Sequence, residues 1–122
     1  MQKVLIAEDE KALNKAYEMI LKRAGYKVKC AYDGEEALAA TKTFKPDLIL
    51  LDLRMPKMTG IEFLEKYQKT EGHENVKIII FSNLDMQKEI DLAFKLGATK
   101  YMLKAWASPD ELQKMIAREL SD

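Results

Sequence analysis

Six side chains in this sequence are of types that chemistry uses: Glu8, Asp9 and Glu10 in one run, and Asp52, Ser82 and Lys104 far apart along the chain. Asp52, Ser82 and Lys104 stand at or just after short apolar segments, and the acidic run follows another. If those segments lie side by side, two or three carboxylates meet at one edge. Such a group repels itself unless a hard cation is bound or its pKa values are raised. A Mg2+ site with few protein oxygens and several waters suits it better than a closed calcium cage. An ammonium and a hydroxyl at the same spot are what a phosphoryl group on a carboxylate would need, one to neutralise its oxygens and one to hydrogen-bond them. The set reads as phosphoryl transfer to an aspartate.

The segments that must position these groups are of two kinds. Val4 to Ala7, Leu48 to Leu51 and Ile78 to Phe81 are continuous apolar runs, suited to strands buried on both faces. Tyr26, Val28 and Cys30 alternate with lysines, which predicts an edge strand, and Lys100 to Leu103 predicts a fifth. Between them lie helical stripes. Ala12, Leu13, Ala16, Tyr17, Ile20 and Leu21 form the first, stopped at Gly25. Asp33 with Glu36, Thr59 with Glu62, and Ser108-Pro109 with Glu111 carry N-terminal capping spacings. Asp85 is expected to cap a fourth helix that turns Ile90, Ala93 and Phe94 to the core and stops at Gly97. Strand and helix alternating five times predict an α/β domain, an open parallel sheet with helices on both faces and right-handed crossovers. In such sheets ligands collect beyond the carboxyl ends of the strands, where these six side chains fall.

Composition narrows the class. A chain of 122 residues has room for one domain, here 1–122, and 48% hydrophobic with 33% charged content is ordinary for a closed core. Twenty basic residues balance twenty acidic ones, so no global field draws in nucleic acid or membrane. One cysteine, Cys30, excludes an internal disulfide and a metal–thiolate site. The start MQKVLIAEDE has too short an apolar run for a signal peptide or spanning helix, so the expected compartment is the cytoplasm. There is no G-x-x-x-x-G-K-[ST] or G-x-G-x-x-G, which disfavours nucleotide binding. His73, in the polar stretch TEGHENV, is expected to be solvated. The methionines, Met19, Met55, Met86, Met102 and Met115 among them, are expected at core positions, and Trp106 in packing.

The motifs LIAEDE, LILLDLRMPKMTG, IIIFSN and YMLKAW make the chain resemble the receiver domain of two-component response regulators, the single-domain chemotaxis type included, across essentially its whole length. The resemblance implies a flavodoxin-like doubly wound fold with strand order 2-1-3-4-5. It implies that Asp52 is the phospho-acceptor, with Lys104 and Ser82 contacting the phosphoryl oxygens and Tyr101 as an aromatic switch behind the hydroxyl. Asp9 would be the direct Mg2+ ligand and Glu8 an acidic partner acting through water; Asp52 and the backbone carbonyl of Arg54 would complete the metal set. The donor would be a sensor histidine kinase or histidine phosphotransfer protein. The surface of helix 4, strand 5 and helix 5, with Lys88, Asp91, Lys95, Lys100 and Gln113, would meet a downstream protein or output domain, as a monomer or a phosphorylation-dependent dimer. No direct nucleic-acid or membrane contact is expected. The domain would act as a signalling switch, not an enzyme, while catalysing its own phosphoryl transfer and autodephosphorylation.

Three positions depart from that pattern. Ala105 follows Lys104 where the family usually has proline joined by a cis bond, so the bond is either strained or trans. Asn83 replaces the usual small residue after the hydroxyl, with Leu84 next, which bears on phosphoryl lifetime. Glu8 replaces the more common aspartate, and Mg2+ binding is expected to survive it. These departures sustain one alternative, a degenerate receiver that binds proteins independently of phosphorylation. An aspartate-nucleophile phosphatase shares the strand-end Asp and Lys but wants a second acid two residues on, where Arg54 stands. An isolated receiver and one excised from a longer protein look alike here.

Overall fold

The computed structural model describes residues 1–70, 72–83 and 86–121, with the Trp106 side chain left aside. Five strands, β1 (Lys3–Ala7), β2 (Lys27–Ala31), β3 (Leu48–Leu51), β4 (Lys77–Ser82) and β5 (Lys100–Leu103), alternate with helices α1 (Lys11–Arg23), α2 (Gly34–Phe44), α3 (Gly60–Gln68), α4 (Gln87–Lys95) and α5 (Pro109–Leu120). All strand pairs are parallel and the order is β2-β1-β3-β4-β5, the doubly wound flavodoxin-like arrangement expected.

The continuous apolar runs serve both faces of the sheet at once. Leu5, Ile49, Leu51, Ile78 and Ile80 pack toward Ala37, Phe63, Leu64 and Ala93 of α2, α3 and α4. Val4, Ile6, Leu48, Leu50, Ile79 and Phe81 pack toward Leu21, Leu112 and Ile116 of α1 and α5. Alternate residues along a strand face opposite sides, so each run closes two cores. The caps also form as expected: Asp33 accepts from the Glu36 N–H, and Thr59–Glu62 and Ser108–Glu111 are complete capping boxes. Gly25 and Gly97 take positive φ just past α1 and α4.

Several side chains depart from the sequence reading. Met19 and Met86 are 56% and 52% exposed, and Phe94 is 42% exposed rather than turned to the core. Ala12 and Ala16 face solvent, and the stripe of α1 instead buries Asn14 completely. His73 is half-buried, its ring 4.6 Å from that of Tyr67 and its Nδ1 3.3 Å from Thr70 Oγ. Burial pushes the Tyr67 phenol up to about 12. Asp85 and Leu84 lie outside the described residues; the residue preceding α4 is Met86, which makes no side-chain cap.

Two glycines act here through closeness rather than through φ. A Cβ on Gly34 would stand 2.2 Å from the Met58 carbonyl oxygen, and one on Gly60 2.6 Å from both the Asp52 carbonyl oxygen and Leu53 Cα. The loop after β3 is thereby pressed between the starts of α2 and α3, with Leu53, Met55 and Met58 buried as its anchors. Gly60→Ala is expected to cost about 1–3 kcal/mol by overpacking, read as a lower urea midpoint at unchanged m.

Candidate functional site

The carboxyl ends of β1, β3, β4 and β5 bring the expected residues together. Glu8 follows β1, Asp52 follows β3, Ser82 ends β4 and Lys104 follows β5. Glu8, Asp52 and Ser82 are buried at 2%, 6% and 1% exposure, so they have left water and must find partners inside the protein. Asp52 finds its partners on both oxygens. Its Oδ1 accepts from Ser82 Oγ at 3.0 Å and from the Arg54 backbone N–H at 3.0 Å, and its Oδ2 accepts from Lys104 Nζ at 2.8 Å. Lys104 also pairs with Glu8 Oε1, while Glu8 Oε2 accepts from the Glu10 N–H at 3.0 Å.

The electrostatics follow from this crowding. Burial pushes the Glu8 carboxyl above its usual range, against the opposing pull of Lys104 and the Glu10 N–H. For Lys104 burial acts downward, but the hydrogen bonds and charges of Asp52 and Glu8 outweigh it and hold the ammonium above the usual lysine range. The lysine is therefore a fixed cation across the physiological range, shared by two carboxylates.

One oxygen each from Glu8, Asp9 and Asp52 lie within 4.8 Å of one another, and Asp9 is the exposed member. Three carboxylates so close, with a single buried ammonium reaching two of them, leave an excess of negative charge that suits a hard divalent cation with room for waters. A cavity of about 460 Å3 opens over them, lined by Asp9, Glu10, Asp52, Arg54, Ser82, Asn83, Met86 and Lys104. A larger depression, about 540 Å3, lies among Thr41, Lys45, Asp47, Tyr67 and His73. Its carboxylate, Asp47, already accepts from the Lys3 N–H, and no comparable acidic cluster forms there among the described residues.

The departures noted in the sequence leave the constellation intact. No cis peptide bond occurs among the described residues, and Lys104 opens a short 3-10 turn, Lys104–Trp106, from which its ammonium reaches Asp52. Asn83 is exposed at the cavity rim. Tyr101 is half-buried against the core on the α2–α4 side. The residue that sequence reading missed is Asn14, whose carboxamide lies beneath the acidic loop and donates to the Glu8 and Ala31 carbonyls. Its position three before Tyr17 and seven before Leu21 was the available signal.

Known proteins share this frame. The Bacillus subtilis alkaline phosphatase synthesis transcriptional regulatory protein PhoP is 36% identical over 115 residues, 94% of this chain and 47% of that protein. The chain thus spans about half the length of the curated relative it matches. The Vibrio cholerae chemotaxis protein CheY4 superposes with a TM-score of 0.91 at 31% identity, covering 98% of this chain and 99% of that one. A CheY-like receiver domain protein from Methanospirillum hungatei superposes with a TM-score of 0.92 at 28% identity, covering 99% and 94%. The family model described as the response regulator receiver domain matches residues 4–117, so that motifs, fold and strand-end constellation agree: the chain belongs to the response regulator receiver domain family.

Proposed function

We propose that this chain is a phosphorylation switch that takes a phosphoryl group onto Asp52 from the phosphohistidine of a sensor kinase or a phosphotransfer protein in the cytoplasm. The observation that carries the reading is the Asp52 carboxylate, buried at a strand end and met by Lys104 Nζ, Ser82 Oγ and the Arg54 N–H under an open cavity. An Asp52 oxygen attacks phosphorus in line with the leaving imidazole; the new O–P bond forms as the P–N bond breaks, and the electron pair and a proton end on the imidazole nitrogen. Lys104 holds positive charge beside the transferring oxygens, and Ser82 offers its O–H to one of them. Glu8, Asp9, Asp52 and the Arg54 carbonyl are the groups that would hold Mg2+. When bound, Mg2+ supplies charge neutralisation as donor and acceptor oxygens converge. The chain thereby catalyses its own loading, and with water in place of the carboxylate its own unloading, without being an enzyme toward any other substrate.

The new dianionic group then favours the conformer in which Ser82 and Tyr101 close on it. On the surface of α4, β5 and α5, Lys88, Asp91, Lys95 and Lys100 are exposed and Gln113 is partly so; these would meet the output partner or a second copy. Among the described residues no helix is long and apolar enough to cross a membrane.

Phosphoramidate, a small donor with the same P–N bond, tests the reading without a cognate kinase. With Mg2+ present, phosphorus NMR of the chain should show one protein-bound signal that hydroxylamine removes, as it does an acyl phosphate. A signal that hydroxylamine leaves intact, or none, would contradict it.

A further inference from the structure

The acidic loop is held by an internal side chain where three other helices use a cap. α2, α3 and α5 begin with side-chain caps from Asp33, Thr59 and Ser108, whereas Glu10, at the start of α1, makes no side-chain cap. The loop before α1 carries Glu8, Asp9 and Glu10, so its geometry must be fixed by something else. Asn14, on the first turn of α1 and 0% exposed, supplies it.

The Asn14 carboxamide donates from Nδ2 to the carbonyl oxygens of Glu8 and Ala31, each at 3.0 Å, with that of Ile6 at 3.5 Å. The Glu8 N–H donates to the same Ala31 carbonyl at 3.0 Å. The Glu8 residue is therefore tied at its N–H to the end of β2 and at its C=O to Asn14. That C=O belongs to the peptide leading into Asp9. The orientation of the carboxamide is unambiguous, because the reverse would turn its oxygen toward three carbonyl oxygens.

This arrangement has a cost: Asn14 Oδ1 is buried without a donor, which disfavours asparagine at this position unless its N–H groups are needed. Leucine at this position would avoid it and complete the apolar stripe with Tyr17 and Leu21. What asparagine offers and leucine does not is the pair of N–H donors on the Glu8 and Ala31 carbonyls.

We propose that Asn14 is a positioning residue for the metal site: by holding the Glu8–Asp9 peptide it sets the affinity of the acidic cluster for Mg2+. This rests on the Mg2+ reading above. Groups that orient ligands from behind typically change metal affinity by about 10–100-fold when removed.

The test is Mg2+ binding itself, measured by calorimetry on the native chain, Asn14→Leu, Asn14→Ser and the core control Ile116→Val. Both Asn14 variants should bind Mg2+ about tenfold or more weakly, with the control within about twofold of native. A folded Asn14 variant with native affinity, or a control weakened as much as the variants, would overturn the proposal. Proton–nitrogen spectra of the native chain keep the question open to refutation if neither variant folds. The Asn14 side-chain N–H signals should exchange slowly and shift along the same Mg2+ titration as the Glu8 and Asp9 amides; signals that stay fixed while Asp9 titrates would overturn it. A native chain that binds no Mg2+ would instead remove the metal reading, and this role with it.

Discussion

Lys104→Ala is expected to destabilise the chain by about 3 kcal/mol at neutral pH and to suppress phosphorylation of Asp52. The native ammonium is 7% exposed and pairs with Asp52 Oδ2 at 2.8 Å and with Glu8 Oε1, whose own side chains are 8% and 3% exposed. Taking it away leaves two buried carboxylates facing each other with no cation, the case in which breaking a pair costs most. The lower end of the usual 3–5 kcal/mol is expected because the cavity over the site admits water. The sign with pH follows. Burial holds the Glu8 carboxyl above its usual range, so its protonation in acid removes part of the penalty and native and variant should draw together there. At the other extreme the Lys104 pKa is raised in the folded chain, so its contribution is complete below the unfolded lysine value, about 10.4, and is lost as pH rises through the folded value. Added Mg2+ should restore part of the variant's stability by replacing the missing charge. Urea titrations across pH, with and without Mg2+, check all three; a variant as stable as native at pH 7 would contradict the account.

Asp9→Asn is expected to act oppositely on stability and function. Asp9 shares a 4.8 Å cluster with Glu8 and Asp52, and among the described residues no salt bridge reaches it. Removing its charge relieves like-charge repulsion, worth about 1 kcal/mol in the metal-free chain. It also replaces the most accessible anionic donor with a neutral amide oxygen, a weaker ligand for a hard divalent cation. Mg2+ at about 100 times its Kd should stabilise the native chain by about 2.7 kcal/mol, and much less for the variant. Thermal melts with Mg2+ or chelator would read this as crossing curves: the variant higher without metal, the native chain higher with it. A variant that gains as much from Mg2+ as the native chain would show that Asp9 is not a ligand.

Much of this geometry was legible in the residues. Continuous runs such as Leu48–Leu51 can only be covered on both faces, which forces helices onto both sides of the sheet and leaves Asp52 at its edge. The capping spacings identified helix starts because two side chains must reach two backbone donors at one fixed offset. What stayed hidden depended on tertiary contact. Hydropathy assigns Asn14 to solvent, yet its position within the stripe buries it, and only the neighbouring carbonyls of Glu8 and Ala31 make that burial tolerable. Conversely Met19, Met86 and Phe94 are apolar, but α1, the residue before α4 and α4 itself turn those positions outward. The need for glycine at 60 was hidden as well, because the crowding comes from the Asp52 and Leu53 backbone, folded back by the loop anchors Met55 and Met58. Strand order likewise came from the family resemblance, since alternation of elements does not determine it.

The central claim is that Asp52 accepts a phosphoryl group in a metal-dependent reaction. Intact mass of the chain after incubation with acetyl phosphate tests it most directly, for native protein and Asp52→Asn, each with Mg2+ and with chelator. The account predicts a single phosphoryl adduct on the native chain with Mg2+ and none in the other three conditions, the asparagine variant remaining folded. An adduct that persists on Asp52→Asn, or that forms equally under chelator, would contradict it. A folded native chain that takes no adduct, and that beryllofluoride also fails to occupy, would point instead to a phosphorylation-independent protein-binding module.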